Sequence, residues 1–145
     1  MSLSEIAHAK LMGIHFMIST LFVWLNAILY AVYCFWCTLA PDQVMNFLGQ
    51  SVVKSQGWIE FLAVYGGIEA GLALFFFVCA INPLMTLSGV RLGLCLYGGS
   101  VAWRTYALVI CGFPEEHGIL GLYALEFLLL LLAIAAWFES RLRTP

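Results

Sequence analysis

The sequence predicts an all-α integral membrane protein, a single bundle of four transmembrane helices spanning residues 1–145 as one domain. Three observations carry this. Hydrophobic residues make up 63% of the 145 positions and charged residues only 10%, against about 45–50% and about 25% in soluble domains. Four apolar stretches are each near the roughly 20 residues that cross a hydrocarbon layer about 30 Å thick at 1.5 Å per residue. Proline or acidic residues interrupt the chain between them. The formal net charge of −2, from six basic and eight acidic residues, excludes the clustered basic surface that nucleic-acid binding requires.

The first span is expected from Leu11 to Cys37, without a formal charge, and it stops at Pro41 and Asp42. Its apolar run exceeds the 7–15 residues typical of a signal-peptide core, and bulky Tyr33, Phe35 and Trp36 crowd its end, so it reads as retained. The second runs from Phe61 to Ile81 and ends at Asn82-Pro83. The third runs from Leu92 to Cys111 and ends at Gly112-Phe113-Pro114, with Glu115 and Glu116 following. The fourth covers Ile119 to Phe138. Proline lacks a backbone donor and biases the preceding residue away from helix, which explains each stop. The one substantial loop, Leu39 to Glu60, holds an amphipathic patch, Val44-Met45-Asn46-Phe47-Leu48, suited to lie along the membrane interface. Lys10, Arg91, Arg141 and Arg143 fall on one side and Lys54 on the other. By the positive-inside rule both termini are cytoplasmic.

Three ionisable residues fall within spans: Glu69, Arg104 and Glu126. Charges in a bilayer are expensive and usually functional. Counting inward from the outer ends puts Glu69 about 12 Å deep and the other two about 10 Å deep. Three helices therefore bring their charges to one level, where the first span offers Asn26, Tyr30 and Tyr33. Neighbours three and four positions away share a helix face, which adds Tyr65, Ser100 and Tyr123 as candidate ligand contacts, with Tyr97 two turns before Arg104. Arginine suits the position because its planar fork stays charged and can bind two carboxylates. Two carboxylates and one guanidinium leave −1 if all are ionised. Low dielectric then favours a proton on one carboxylate, a further cation, or a proton-donating ligand. The functional reading is a ligand or acid/base site. The structural one is an arginine that ties three helices together.

Other candidates are weaker. Cys34-Phe35-Trp36-Cys37 is a C-x-x-C at the outer end of the first span and a candidate thiol–quinone redox pair, but the outer loop offers no second cysteine pair. His8, His15 and His117 lie at different levels, and no metal site is expected. Gly67 with Gly71 and Gly89 with Gly93 form G-x-x-x-G pairs that permit close helix contact, within the bundle or between protomers. No phosphate loop, dinucleotide fingerprint or nucleophile elbow is present.

The run Trp58-Ile59-Glu60-Phe61-Leu62-Ala63-Val64-Tyr65-Gly66-Gly67-Ile68-Glu69-Ala70-Gly71-Leu72 resembles the central motif of the bacterial domain-of-unknown-function family 4345. So do Arg91, Arg104 and Glu126 around the Gly-Phe-Pro turn, and Ala40-Pro41 after the first span. The likeness covers roughly Phe35 to Trp137 and departs at Trp103, where the family often has glycine. It implies a small four-helix protein of the bacterial inner membrane and interest in the three charges, but no reaction or cofactor. The leading expectation is a binder of a lipophilic molecule, or an accessory subunit of a membrane complex or homo-oligomer. An intramembrane acid/base enzyme, an isomerase or cyclase using Glu69, Arg104 and Glu126, is the alternative, and thiol–quinone oxidoreduction a further one. Proton-coupled transport is a fourth reading, and it would require an oligomer.

Overall fold

The structure, a computed structural model, describes residues 3–114 and 117–141, with side chains from 17 to 114 and from 118 to 141. Glu115, Glu116 and Arg143, and the side chains of His8, Lys10, His15 and His117, lie outside that description. Helix α1 runs Leu3–Leu39, α2 Pro41–Phe47 and α3 Ser55–Phe61. A π-helical segment over Leu62–Ile68 joins α3 to α4, Glu69–Ile81. Helix α5 is Thr86–Cys111 and α6 is His117–Arg141. Among the described residues, four stretches are long and apolar enough to cross a membrane: Met17–Leu39, Ser55–Ile81, Thr86–Cys111 and Gly118–Arg141. The chain is an all-helical, multi-pass membrane bundle.

The expected breaks are where the chemistry puts them. Pro41 opens α2 at a position whose amide has no helical partner to lose. Gly49, at φ 65°, supplies the left-handed turn that ends this short helix. Asn82 is extended ahead of Pro83, and its side-chain oxygen accepts the Leu84 amide at 3.1 Å. Gly112, at φ 81°, closes α5. The second span is longer than expected, starting at Ser55 rather than Phe61, because the polar Ser55-Gln56-Gly57 turn winds straight into it.

The half of the bundle nearest the α4–α5 turn, called the inner half after the expected orientation, is densely packed. Gly89 and Gly93 let α5 lie directly on α1 and α4: a Cβ at Gly89 would stand 2.7 Å from Val23 Cγ1 and 3.0 Å from Cys79 Cβ, and one at Gly93 would enter the Phe22 ring. Phe22 is fully buried and meets Phe76 and Tyr97 edge-on, at centroid distances of 6.3 and 6.5 Å. The other pair, Gly67 and Gly71, has open space where side chains would be. Only one of the two G-x-x-x-G pairs thus serves contact within the bundle. At the innermost level Glu139 is buried and accepts both the amide of Ser19, at 2.9 Å, and its hydroxyl, at 2.5 Å.

The outer end is closed differently. The Val44–Leu48 patch is not laid flat with its apolar side outward. Val44, Met45 and Leu48 are buried with Cys37 and Phe61 in a second, smaller core. A Cβ on Gly118 would collide with the Phe47 carbonyl, so its absence lets α2 seat against the start of α6. The expected interfacial strip is a plug, because its three apolar residues gain more by covering the bundle end than by facing headgroups.

Candidate functional site

Between the inner core and the plug the helices separate. Helix α1 packs against α4, α5 and α6, α5 pairs closely with α6, and the π segment leans on α1. Helices α4 and α6 have no extended contact with each other. The space left is a cavity of about 420 Å³, within the roughly 300–1,000 Å³ typical of small-molecule sites. Tyr30 and Tyr97 form its inner wall and Trp36 and Leu122 its outer one. Val32, Ile68 and Leu125 line it and are also exposed on the bundle's flank, at 60, 57 and 41%. Its mouth thus opens sideways, within the length of the apolar spans.

All three charged residues reach this cavity. Arg104 donates from Nε to Glu126 Oε2 at 2.6 Å and from Nη2 to Glu126 Oε1 at 3.0 Å. Both are half-buried, with 31% of the arginine side chain and 14% of the glutamate side chain exposed. This is the two-pronged geometry in which arginine holds a carboxylate most strongly. The expected three-way tie is not formed: Arg104 joins α5 to α6, and Glu69 stands apart in the same cavity. Its Oε2 is buried without a hydrogen-bond partner, as is the hydroxyl of Tyr33. Such atoms are rare in folded proteins, and each leaves roughly 1–3 kcal/mol of desolvation unanswered.

The position of Glu69 has a local cause. It is the first residue after seven of π winding, a form concentrated at functional sites. Gly66-Gly67, with no side chains to crowd the widened turn, sits inside that segment. The carbonyl of Gly66 accepts the Cys34 thiol at 3.2 Å, which pins the segment to α1.

Tyr30, Tyr65, Tyr97 and Ser100 line the cavity as expected. Asn26 and Tyr123 do not. Asn26 is fully buried, donates to the Phe22 carbonyl at 2.7 Å and accepts the Tyr97 hydroxyl. It anchors a lining residue one layer below the cavity. Tyr123 bonds Thr105 Oγ1 at 3.0 Å on the α5–α6 seam; its offset of about 60° from position 126 around the helix axis carries it out of the cavity lining. Cys34 and Cys37 also lie off the cavity. Cys37 is fully closed under the plug, and the half-buried Cys34 donates its thiol to the π segment. No group of three or more metal-ligating side chains occurs among the described residues.

Two features escaped the sequence reading. Trp36 lines the cavity, although its spacing from Tyr33 and Leu29, three and seven positions back, marks one helix face. The Glu139–Ser19 clasp was hidden because Glu139 sits just beyond the last apolar residue and reads as an interfacial charge. No protein-family model, curated protein or solved structure matches the chain.

Proposed function

We propose that this protein binds a lipophilic molecule taken sideways from the bilayer, with the cavity among α1, α4, α5 and α6 as its site. One observation carries the reading. A mostly apolar cavity, open on the flank of the bundle, contains a buried carboxylate oxygen and a tyrosine hydroxyl that the protein leaves without partners. A purely structural ion pair requires neither the cavity nor the spare carboxylate. Loading from the membrane suits a chain with little surface outside its spans. The likeness to the family 4345 motif supports membership there and a bacterial inner-membrane home. The side of Arg91 and Arg141 supports cytoplasmic termini.

A second reading, acid/base catalysis on a lipophilic substrate, has its own support: Glu69 and Glu126 border one cavity with Arg104 between their helices in sequence. Proton transfer in either direction requires that access.

The test is extraction in a mild detergent, followed by mass spectrometry of small molecules retained per chain. The wild type is expected to retain one class of lipophile near one per chain. Ser100→Phe, which fills the cavity without removing a charge, is expected to retain none. Equal retention by both proteins would refute the proposal. Turnover of a retained molecule that stops in both Glu69→Gln and Glu126→Gln would favour the enzyme.

A further inference from the structure

A buried arginine in an apolar cavity invites the assumption that the ligand is an anion, such as a fatty acid. The geometry points the other way. Both oxygens of Glu126 occupy two prongs of the Arg104 fork, so the cation of the cavity is already neutralised. The group left unanswered is an acid, Glu69, with its Oε2 buried and unbonded. A carboxylate ligand would set three acids against one base in a medium that punishes uncompensated charge. A ligand with one positive charge would bring the sum to zero.

Resting on the reading of this cavity as a lipophilic-ligand site, we infer that its ligand is a lipophilic amine. The ammonium donates to Glu69 and to the oxygen of Tyr33, and the hydrocarbon tail lies against Leu29, Leu72 and Leu96. Tyr33 and Glu69 come from α1 and the second span, which pack directly on each other, and both line the cavity. Their two unpartnered oxygens suit an ammonium, which has three donors and no acceptor. Arg104 and Glu126 then serve to fix the sign of the site: the arginine offsets one acid and leaves the other to select the ligand. An amine lacks the acceptor oxygens by which a carboxylate would compete for the guanidinium.

The experiment uses the full chain in phosphatidylcholine nanodiscs, titrated calorimetrically with dodecylamine, dodecanol and dodecanoate, with empty nanodiscs as the baseline. The three probes share a tail and differ only in the head. Dodecylamine is expected to saturate near one per chain and to bind roughly tenfold to a hundredfold more tightly than dodecanoate, the range of a hydrogen bond to a charged group. Glu69→Gln keeps the shape and removes the charge. It is expected to lose that same factor for dodecylamine and to keep its affinity for dodecanol. Dodecanoate binding as well as dodecylamine, or better, would overturn the inference and leave the cavity reading standing. So would a Glu69→Gln protein that still binds dodecanol and has lost nothing for the amine. Failure of all three probes on the wild type would overturn the cavity reading itself. The wild-type rank order decides the matter even if the variant folds poorly.

Discussion

Breaking the Arg104–Glu126 pair measures how dry the middle of this bundle is. The relevant perturbation is a double-mutant cycle with Arg104→Gln, Glu126→Gln and the two combined. Exposed ion pairs couple by about 0.2–1 kcal/mol, whereas removing one partner of a fully buried pair costs about 3–5 kcal/mol. Here the side chains keep 31 and 14% of their exposure, and both bonds, at 2.6 and 3.0 Å, are well formed. The pair belongs between the limits, at a coupling of about 2 kcal/mol, above the average of about 0.6 kcal/mol for hydrogen bonds between transmembrane helices. The two single variants are expected to be unequal. Glu126→Gln leaves Glu69 as a substitute partner for the arginine, while Arg104→Gln leaves two acids facing each other across the cavity. Arg104→Gln is therefore the more damaging. The assay is reversible unfolding in mixed micelles with increasing sodium dodecyl sulfate. A coupling below about 0.5 kcal/mol, within the range of solvated pairs, would refute the claim that the pair sits in a dry layer.

Other expected outcomes follow from single contacts. Glu69→Gln removes an acid that no protein group answers, so the variant is expected to unfold no more easily than the wild type and up to about 1 kcal/mol less easily, as when a functional site gives up strain; a loss beyond about 1 kcal/mol in the same micelle assay would mean that Glu69 is structural. Asn26→Ala strips the buried Tyr97 hydroxyl of its acceptor and is expected to cost about 1–3 kcal/mol, seen as a lower melting temperature; an unchanged transition would show that the clasp contributes nothing. Gly93→Ala drives a methyl into Phe22 and is expected to cost about 1–3 kcal/mol, while Gly99→Ala, with open space at its Cβ, is expected to be neutral or to stabilise by up to about 1 kcal/mol. Equal effects at the two glycines would contradict the tight α1–α5 contact. Glu139→Ala removes the charged acceptor shared by the Ser19 amide and hydroxyl and leaves the hydroxyl only the Ala136 carbonyl at 3.2 Å, at an expected cost of about 1.5–3 kcal/mol; an unaltered midpoint in the same denaturation would exclude a structural clasp.

The four spans were legible because length and hydropathy are local properties, and Pro41, Pro83 and Pro114 act on their immediate neighbours. The convergence of Glu69, Arg104 and Glu126 on one level was legible for the same reason: depth follows from counting at 1.5 Å per residue. What counting does not give is azimuth. Tyr123 and Tyr65 look equally close to a charge in the sequence, yet only Tyr65 faces the cavity, because rotation about a helix axis is set by packing on other helices. Asn26 was placed at the right depth and turned out to hold Tyr97 from below. The partner choice of Arg104 was likewise not local. Helix α5 packs along α6 and not on the π segment, so the fork met Glu126 and left Glu69 alone. The plug is not legible in the sequence, because an amphipathic strip reads alike whether its apolar side meets lipid or the end of a bundle. The π segment had one visible cue, the paired glycines at 66 and 67, and its consequence, the aim of Glu69, emerges only in three dimensions.

The central claim, that the space beside Arg104 is a place for another molecule, is tested most directly by an experimental density map of the protein in native-lipid nanodiscs. Elongated non-protein density is expected to enter between α4 and α6, with its head within hydrogen-bonding distance of Glu69 and of the Tyr33 hydroxyl. A map in which Glu69 instead closes onto Arg104 and the helices collapse over an empty gap would contradict it.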